Sequence, residues 1–175
     1  MRKSVLVMGL VALFSISGCT EPQTQSGNPN TPEYINEWKP SETTTVVAGG
    51  KEYKLRGEEI NKEFKLALLD KDFKLKTENS TTWFIWEDDK VKREKLLGSK
   101  VEIYGISQTT EEKELLAATE VTELDGNLPI QLIDEHLAVQ FNAPIELPEE
   151  GKWKLQVFIE DQLYGVVKVS TPIKI

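Results

Sequence analysis

The sequence predicts an all-β domain, a β-sandwich of about seven to nine strands, preceded by an export signal and a flexible tether. Three observations predict it. Short apolar runs with period-two alternation recur from Thr44 to near the C-terminus, separated by Gly, Pro, Asp and Asn turn signals. No sustained helical period and no rhythm of strand and long helix accompanies them. The last runs, Gly151 to Ile159 and Leu163 to Ser170, read as a hairpin with one apolar face, which needs a second sheet to pack on.

The chain opens on Arg2 and Lys3, then an apolar run from Val5 to Ile16, then the small residues Ser17 and Gly18. That run falls short of the roughly 20 apolar residues a bilayer span needs. A basic start, a short apolar core and a small-residue end make a secretory signal. Cys19 follows and is the single cysteine. Ile16-Ser17-Gly18-Cys19 resembles the lipobox of bacterial lipoproteins. The resemblance implies diacylglyceryl transfer to Cys19, cleavage between Gly18 and Cys19, and a domain held by lipid on the outer face of the cytoplasmic membrane. A plain secretory signal would instead export an unpaired thiol into an oxidising compartment. Two acyl chains hold where one is marginal. Residues 1–18 are thus read as signal peptide, 19–45 as lipidated cysteine and linker, and 46–175 as the sandwich.

Charge narrows the partners. The chain carries 21 basic and 29 acidic residues, and losing Arg2 and Lys3 with the signal leaves 19 against 29, a net charge of −10. Lysine and arginine are scattered, with no run longer than Lys92-Arg93. Nucleic acid and polyanionic surfaces are disfavoured, and the acidic balance is expected to keep the domain from lying flat on an anionic membrane. No cysteine remains for a disulfide, so the core alone holds the fold.

From Thr20 to about Thr45 the chain lacks apolar period and is rich in Pro, Gly, Asn and Thr, a flexible spacer. Tyr34, Ile35 and Trp38 interrupt it. They dock on the domain or form a short recognition segment, and docking is the preferred reading. Thr44-Val47 and Glu52-Arg56 are strands about the Gly49-Gly50 turn. Glu63-Leu69 sets Phe64, Leu66 and Leu68 against Lys65 and Ala67, a strand, although Glu58-Leu69 also suits a short helix. Phe73 and Leu75 extend that alternation. Ser80-Trp86 is bulky on both faces and reads as a strand that lies inside a sandwich or is covered at one end. Lys90-Leu97 forms a helical turn before Gly98. Lys100-Ser107 alternates Val101, Ile103 and Gly105 against Glu102, Tyr104 and Ile106. Gln108-Lys113 is a polar turn, Glu114-Val121 a return strand or short helix, and Asp125-Gly126-Asn127 a tight turn. Leu137-Val139-Phe141 alternates once more, and Pro144 and Pro148 are expected to break the chain after it. In the last hairpin Trp153, Leu155, Val157 and Ile159 share a face; Tyr164, Val166, Lys168 and Ser170 oppose Leu163, Gly165, Val167 and Val169.

Trp83-Phe84-Ile85-Trp86, Gly98-Ser99-Lys100-Val101, Leu147-Pro148-Glu149-Glu150-Gly151-Lys152-Trp153-Lys154-Leu155 and Asp161-Gln162-Leu163-Tyr164-Gly165 resemble a family of secreted lipoproteins of Bacillus and its relatives. These stretches fall within 79–88, 98–106 and 147–169. The resemblance implies an immunoglobulin-like sandwich and carries over no activity.

Candidate chemistry is sparse. His136, the single histidine, has Asp134 and Glu135 nearby but no nucleophile elbow, and reads as a loop residue. One histidine and a lipidated cysteine cannot close a zinc site, and no Asp-x-Asp-x-Asp spacing marks calcium, so neither metal nor cofactor is expected. Asp88-Asp89, Glu111-Glu112, Glu149-Glu150 and Glu160-Asp161 sit beside turns as solvated carboxylates; a glycosidase would need two of them across a cleft. Trp38, Trp83, Trp86, Trp153, Tyr104 and Tyr164 offer aromatics for a binding platform. Trp153 belongs to the core. Trp83 and Trp86 fall on opposite faces of one strand, and core is preferred for both. Trp83, Trp86 and Tyr164 are the binding candidates. The last strand could be an edge that takes up a peptide, blunted by Lys168 and Lys174. The preferred function is a non-enzymatic, lipid-anchored binding module at the cell surface. The alternatives are an envelope hydrolase using paired carboxylates and a protease inhibitor presenting Gln108-Lys113.

Overall fold

The computed structural model describes residues 38–60, 63–125 and 137–171. The signal segment, Cys19, Tyr34, Ile35, Gly126, Asn127, Asp134, Glu135, His136 and Lys174 lie outside them. Among the described residues the strands are β1 (Thr43–Ala48), β2 (Lys51–Ile60), β3 (Glu63–Leu69), β4 (Asn79–Glu87), β5 (Lys100–Ser107), β6 (Lys113–Glu120), β7 (Leu137–Ile145), β8 (Lys152–Ile159) and β9 (Gln162–Ser170), with one helix, α1 (Lys90–Leu96), between β4 and β5. They form a β-sandwich. One sheet has the order β1-β2-β3-β4-β7, the other β6-β5-β8-β9. The seven strands from β3 onward follow the crossing order of an immunoglobulin-like sandwich, and the β1–β2 hairpin widens the first sheet.

Alternation becomes packing. Leu66, Leu68, Trp83, Ile85, Val139 and Phe141 from the first sheet meet Val101, Ile103, Trp153, Leu155, Val157, Val167 and Val169 from the second. Trp83 stacks on Phe141, its partner across the β4–β7 ladder, with ring centroids 5.6 Å apart. Its indole donates to Thr81 Oγ1 at 2.9 Å, and that hydroxyl donates to the Ala143 carbonyl at 2.7 Å, so burial leaves no polar atom of the pair unbonded. On the other face of the same sheet Leu55, Ala67, Phe84, Trp86 and Ala138 form a second buried cluster. The bulky run at β4 lies inside the sandwich, as one of its two sequence readings has it, and its other face is covered by the second cluster.

Local signals set the connections. Gly49 and Gly50 both take positive φ, 56° and 75°, the backbone a two-residue hairpin demands. Asp89 caps α1, accepting from the Val91 and Lys92 amides at 2.8 and 3.2 Å. Glu114-Val121 resolves to strand. Gly105 has no room for a side chain: a Cβ there would lie 2.5 Å from Leu116 Cδ1 and 3.1 Å from Trp153 Cζ3.

Four expectations need correction. The sandwich starts before residue 46: β1 begins at Thr43, and Ser41 is already fixed. Its amide donates to the Lys168 carbonyl at 3.0 Å, its hydroxyl accepts from the Lys168 amide at 2.9 Å, and its carbonyl accepts from Arg56 Nη1 at 2.9 Å. Phe73 and Leu75 do not extend a strand; Phe73 is buried in the core and Leu75 makes a lone bridge to Leu147. Pro144 does not break the chain but pairs with Ser80 inside β7. That strand is the margin of its sheet, where a missing amide is tolerated. Finally, a register shift between Val157 and Phe158 leaves Tyr164 unpaired between Leu163 and Gly165, so Tyr164 turns to pack against the inter-sheet core instead of sharing a face with Val166.

Trp83→Ala is expected to lower unfolding free energy by about 3–5 kcal/mol, and Gly105→Ala by about 1–3 kcal/mol through overpacking. Urea denaturation followed by tryptophan fluorescence and circular dichroism measures both.

Candidate binding face

The second sheet presents its apolar alternation inward and leaves β6-β5-β8-β9 an outer face. Strand register assigns its members. Leu115 opposes Tyr104, Glu102 opposes Phe158, and Phe158 opposes Leu163. Leu115, Tyr104, Phe158 and Leu163 thus form a band crossing all four strands. Leu115 is 53% exposed and Leu163 43%, while the two rings between them are half-buried. Tyr104 and Phe158 meet edge to face at 5.4 Å. The Lys113 ammonium lies over both rings, 4.2 Å from the centroid of Tyr104 and 4.3 Å from that of Phe158.

Charge is arranged around this band. Lys100, Lys113, Lys152, Lys154 and Lys168 project on the outer face by register, against Glu102 and Glu120. Lys100 Nζ pairs with Glu102 Oε1 at 2.7 Å. The hydrogen bond between them raises the lysine pKa and lowers that of the carboxyl. The Tyr104 hydroxyl lies 3.3 Å from Glu102 Oε2; partial desolvation first, and that carboxylate second, raise the phenol pKa. Lys154 is buried and faces Lys168 across the β8–β9 ladder. Desolvation, then the Lys168 charge, lowers its pKa. The Trp38 ring covers its ammonium at 3.9 Å. Trp38 therefore docks, as preferred from sequence, and it docks on this sheet.

At one end of the sheet, Thr110, Lys113, Pro148, Glu149 and Trp153 border an open cleft of about 210 Å³. The Ser107 hydroxyl bonds Glu149, and the Trp153 indole donates to the Glu149 carbonyl at 3.2 Å. The cleft is built from structural contacts.

The sequence candidates fare unevenly. Trp83 and Trp86 are not surface residues: Trp83 is fully buried between the sheets and Trp86 is buried in the second cluster. They do occupy opposite faces of β4, but each face has its own apolar cover. Tyr164 is half-buried by the bulge, and burial with the Glu87 charge pushes its pKa up to about 12. The carboxylate pairs serve local structure: Asp89 caps α1, and Glu160 Oε1 accepts from the Lys100 amide at 2.7 Å. Among the described residues no three His, Cys, Asp or Glu side chains converge to hold a metal ion. β9 does lie at a sheet margin, but Ser41 already bonds there, and Lys168 is buried, not blunting from solvent. The sequence singled out neither Phe158 nor Leu115, and it offered Lys113 only as the end of the Gln108-Lys113 turn. The available signal was Phe158 at the parity of lysines and glutamine in β8.

Comparison with known proteins bears on the fold. No protein-family model and no curated protein matches the sequence. The crystal structure of a candidate lipoprotein from Bacillus anthracis superposes with a TM-score of 0.50 at 15% identity, over 85% of this chain and 99% of the other.

Tyr164 gives a titration test. Its folded pKa of about 12 exceeds the ordinary 10.0, so the stability it supplies is complete below pH ~10 and lost as pH rises through ~12. Chemical denaturation between those limits is expected to show a smaller alkaline loss in Tyr164→Phe than in the parent.

Proposed function

We propose that this chain is a membrane-anchored surface lipoprotein whose β-sandwich is a non-enzymatic binding module, with the outer face of β6-β5-β8-β9 as its binding surface. The band of Leu115, Tyr104, Phe158 and Leu163 carries the reading. Single exposed apolar side chains are ordinary, but a contiguous band crossing every strand of a sheet, rimmed by charge, marks a surface that meets something. The half-buried aromatic pair and the ammonium resting on it give that surface a rigid centre.

The anchor rests on Ile16-Ser17-Gly18-Cys19 following a basic and then apolar start. The lipoprotein description of the Bacillus anthracis neighbour supports it. Lipid on Cys19 would hold the domain outside the cytoplasmic membrane with no spanning helix.

Two experiments test the halves separately. Cells fed labelled palmitate are expected to incorporate it into the parent chain and not into Cys19→Ala, which leaves the membrane fraction; equal labelling of both removes the anchor. For the module, the unlipidated Cys19→Ala chain is sedimented with isolated cell envelopes. Adding Tyr104→Ala and Leu115→Ser is expected to cut retention about tenfold, the loss of an exposed apolar pair plus its cation contact. Equal retention with both proteins folded moves the binding surface elsewhere.

A further inference from the structure

We infer that β1 is the seam of a symmetric dimer, pairing antiparallel with the β1 of a second copy. Backbone direction shows which residues face the seam. The Gly57 amide donates to the Glu42 carbonyl at 3.4 Å, and the Asp70 amide to the Lys54 carbonyl at 2.7 Å. Glu42 thus faces β2, while Lys54, opposite Thr45, faces β3. Alternation along an antiparallel ladder then turns Thr44, Val46 and Ala48 toward β2, and the amides and carbonyls of Thr43, Thr45 and Val47 away from it. These three residues are exposed, Val47 at 68%. Among the described residues no strand lies beyond them. The other three sheet margins are each guarded. On β7, Gln140 exchanges both backbone bonds with Thr122, and Pro144 offers no amide. On β9, Ser41 bonds both the amide and the carbonyl of Lys168. β6 carries Lys113, Glu114 and Glu120, and a register shift interrupts its ladder with β5. β1 has neither charge, proline nor register shift over its six residues, Thr-Thr-Thr-Val-Val-Ala. An edge of that kind is a template for another strand.

Symmetry and charge choose a second copy over a foreign peptide. With a two-fold axis at Thr45, that residue faces the partner's Thr45, Thr43 faces the partner's Val47, and Val47 faces the partner's Thr43. Every outward amide and carbonyl of β1 then finds a mate, and each facing pair is β-branched, the kind of pair that packs well across strands. An isologous contact of this kind closes at two copies. No charge meets its like. Lys54 lies one strand behind Thr45, so it stands three strand spacings from the partner's Lys54, roughly 14 Å and beyond a Debye length of about 8 Å. In the adjoining rows Glu52, beside Val47, shares its line with the partner's Arg56, so the flanking charges are of opposite sign. The axis stands perpendicular to the sheet. The two five-stranded sheets join edge to edge, and the β6-β5-β8-β9 sheets of both copies lie on the same side of the seam. Their outer faces then point one way, as two-site engagement of a single surface requires.

The test uses the chain from residue 19 onward with Cys19→Ala, which carries no acyl group and no other thiol. Sedimentation velocity is expected to show a dimer that forms with rising concentration. Thr45→Lys with Val47→Lys is expected to weaken it at least about tenfold, through lost edge bonds and facing lysines. Val91→Lys, an equally conspicuous exposed valine on α1, is expected to leave it unchanged, with circular dichroism confirming that all variants fold. Cross-linking reads the register. In oxidised glutathione, Thr45→Cys is expected to give a disulfide-linked dimer, because facing hydrogen-bonded residues lie about 5.5 Å apart between Cα atoms. Val47→Cys is expected to stay unlinked, because the partner's Val47 lies four positions along the strand, roughly 13 Å away. Adding Thr43→Cys to Val47→Cys is expected to restore the link. A chain that stays monomeric up to about 1 mM, linkage of Val47→Cys as readily as Thr45→Cys, or equal weakening by Val91→Lys overturns the inference. So does an extended peptide held at β1 by a chain that does not dimerise.

Discussion

Everything in this sandwich hangs on the burial of β4 from both sides. Trp83 and Ile85 enter the space between the sheets while Phe84 and Trp86 enter a second apolar cluster behind. A strand so enclosed has no polar face to trade for solvent, so a one-residue slip would exchange one set of bulky side chains for another of different shape. The Trp83–Phe141 stack and the Thr81 hydroxyl between the Trp83 indole and the Ala143 carbonyl fix the register. With β4 and β7 set, the core meets β5 and β8, and the outer face of the second sheet follows by alternation. The band of Leu115, Tyr104, Phe158 and Leu163 is thus the reverse side of the core's own pattern.

Much of the fold was legible because period-two alternation is a local signal. In β5 and β8, each inward residue predicted from spacing is inward in the structure. The errors fall where a long-range contact overrides spacing. Tyr164 left its expected face because an unpaired residue interrupts the β8–β9 ladder, and nothing in its neighbours announces that. Pro144 fits inside β7 because that strand is marginal, a property of strand order and not of sequence. Ser41 joined the domain because Arg56 and Lys168, remote in sequence, hold it. Trp83 and Trp86 drew attention as aromatics, yet the more accessible band comprises residues from four strands that only register brings together.

The same contrast applies to charge. Composition describes an acidic molecule; pairing sets five lysines at outward positions of one sheet, two of them buried, with Glu102 and Glu120 among them and acidic turns at the strand ends. The cost of that gathering is visible at Lys154, where burial and the facing lysine depress the pKa and an indole provides the compensation.

The β4–β7 ladder joins Trp83 to Phe141, residues 58 positions apart in the chain. Hairpins β1–β2, β5–β6 and β8–β9 close over short loops, but the most enclosed strand has its second neighbour supplied late. Loop closure over such a distance opposes the pairing before any contact rewards it, so the assembly step that buries Trp83 and Phe84 has the character of a slow, non-local nucleus. During synthesis from the N-terminus, the most apolar stretch of the domain waits half-paired until β7 emerges. The interval in which it waits, more than the stability of the finished sandwich, is when this chain is most open to mispairing with another copy.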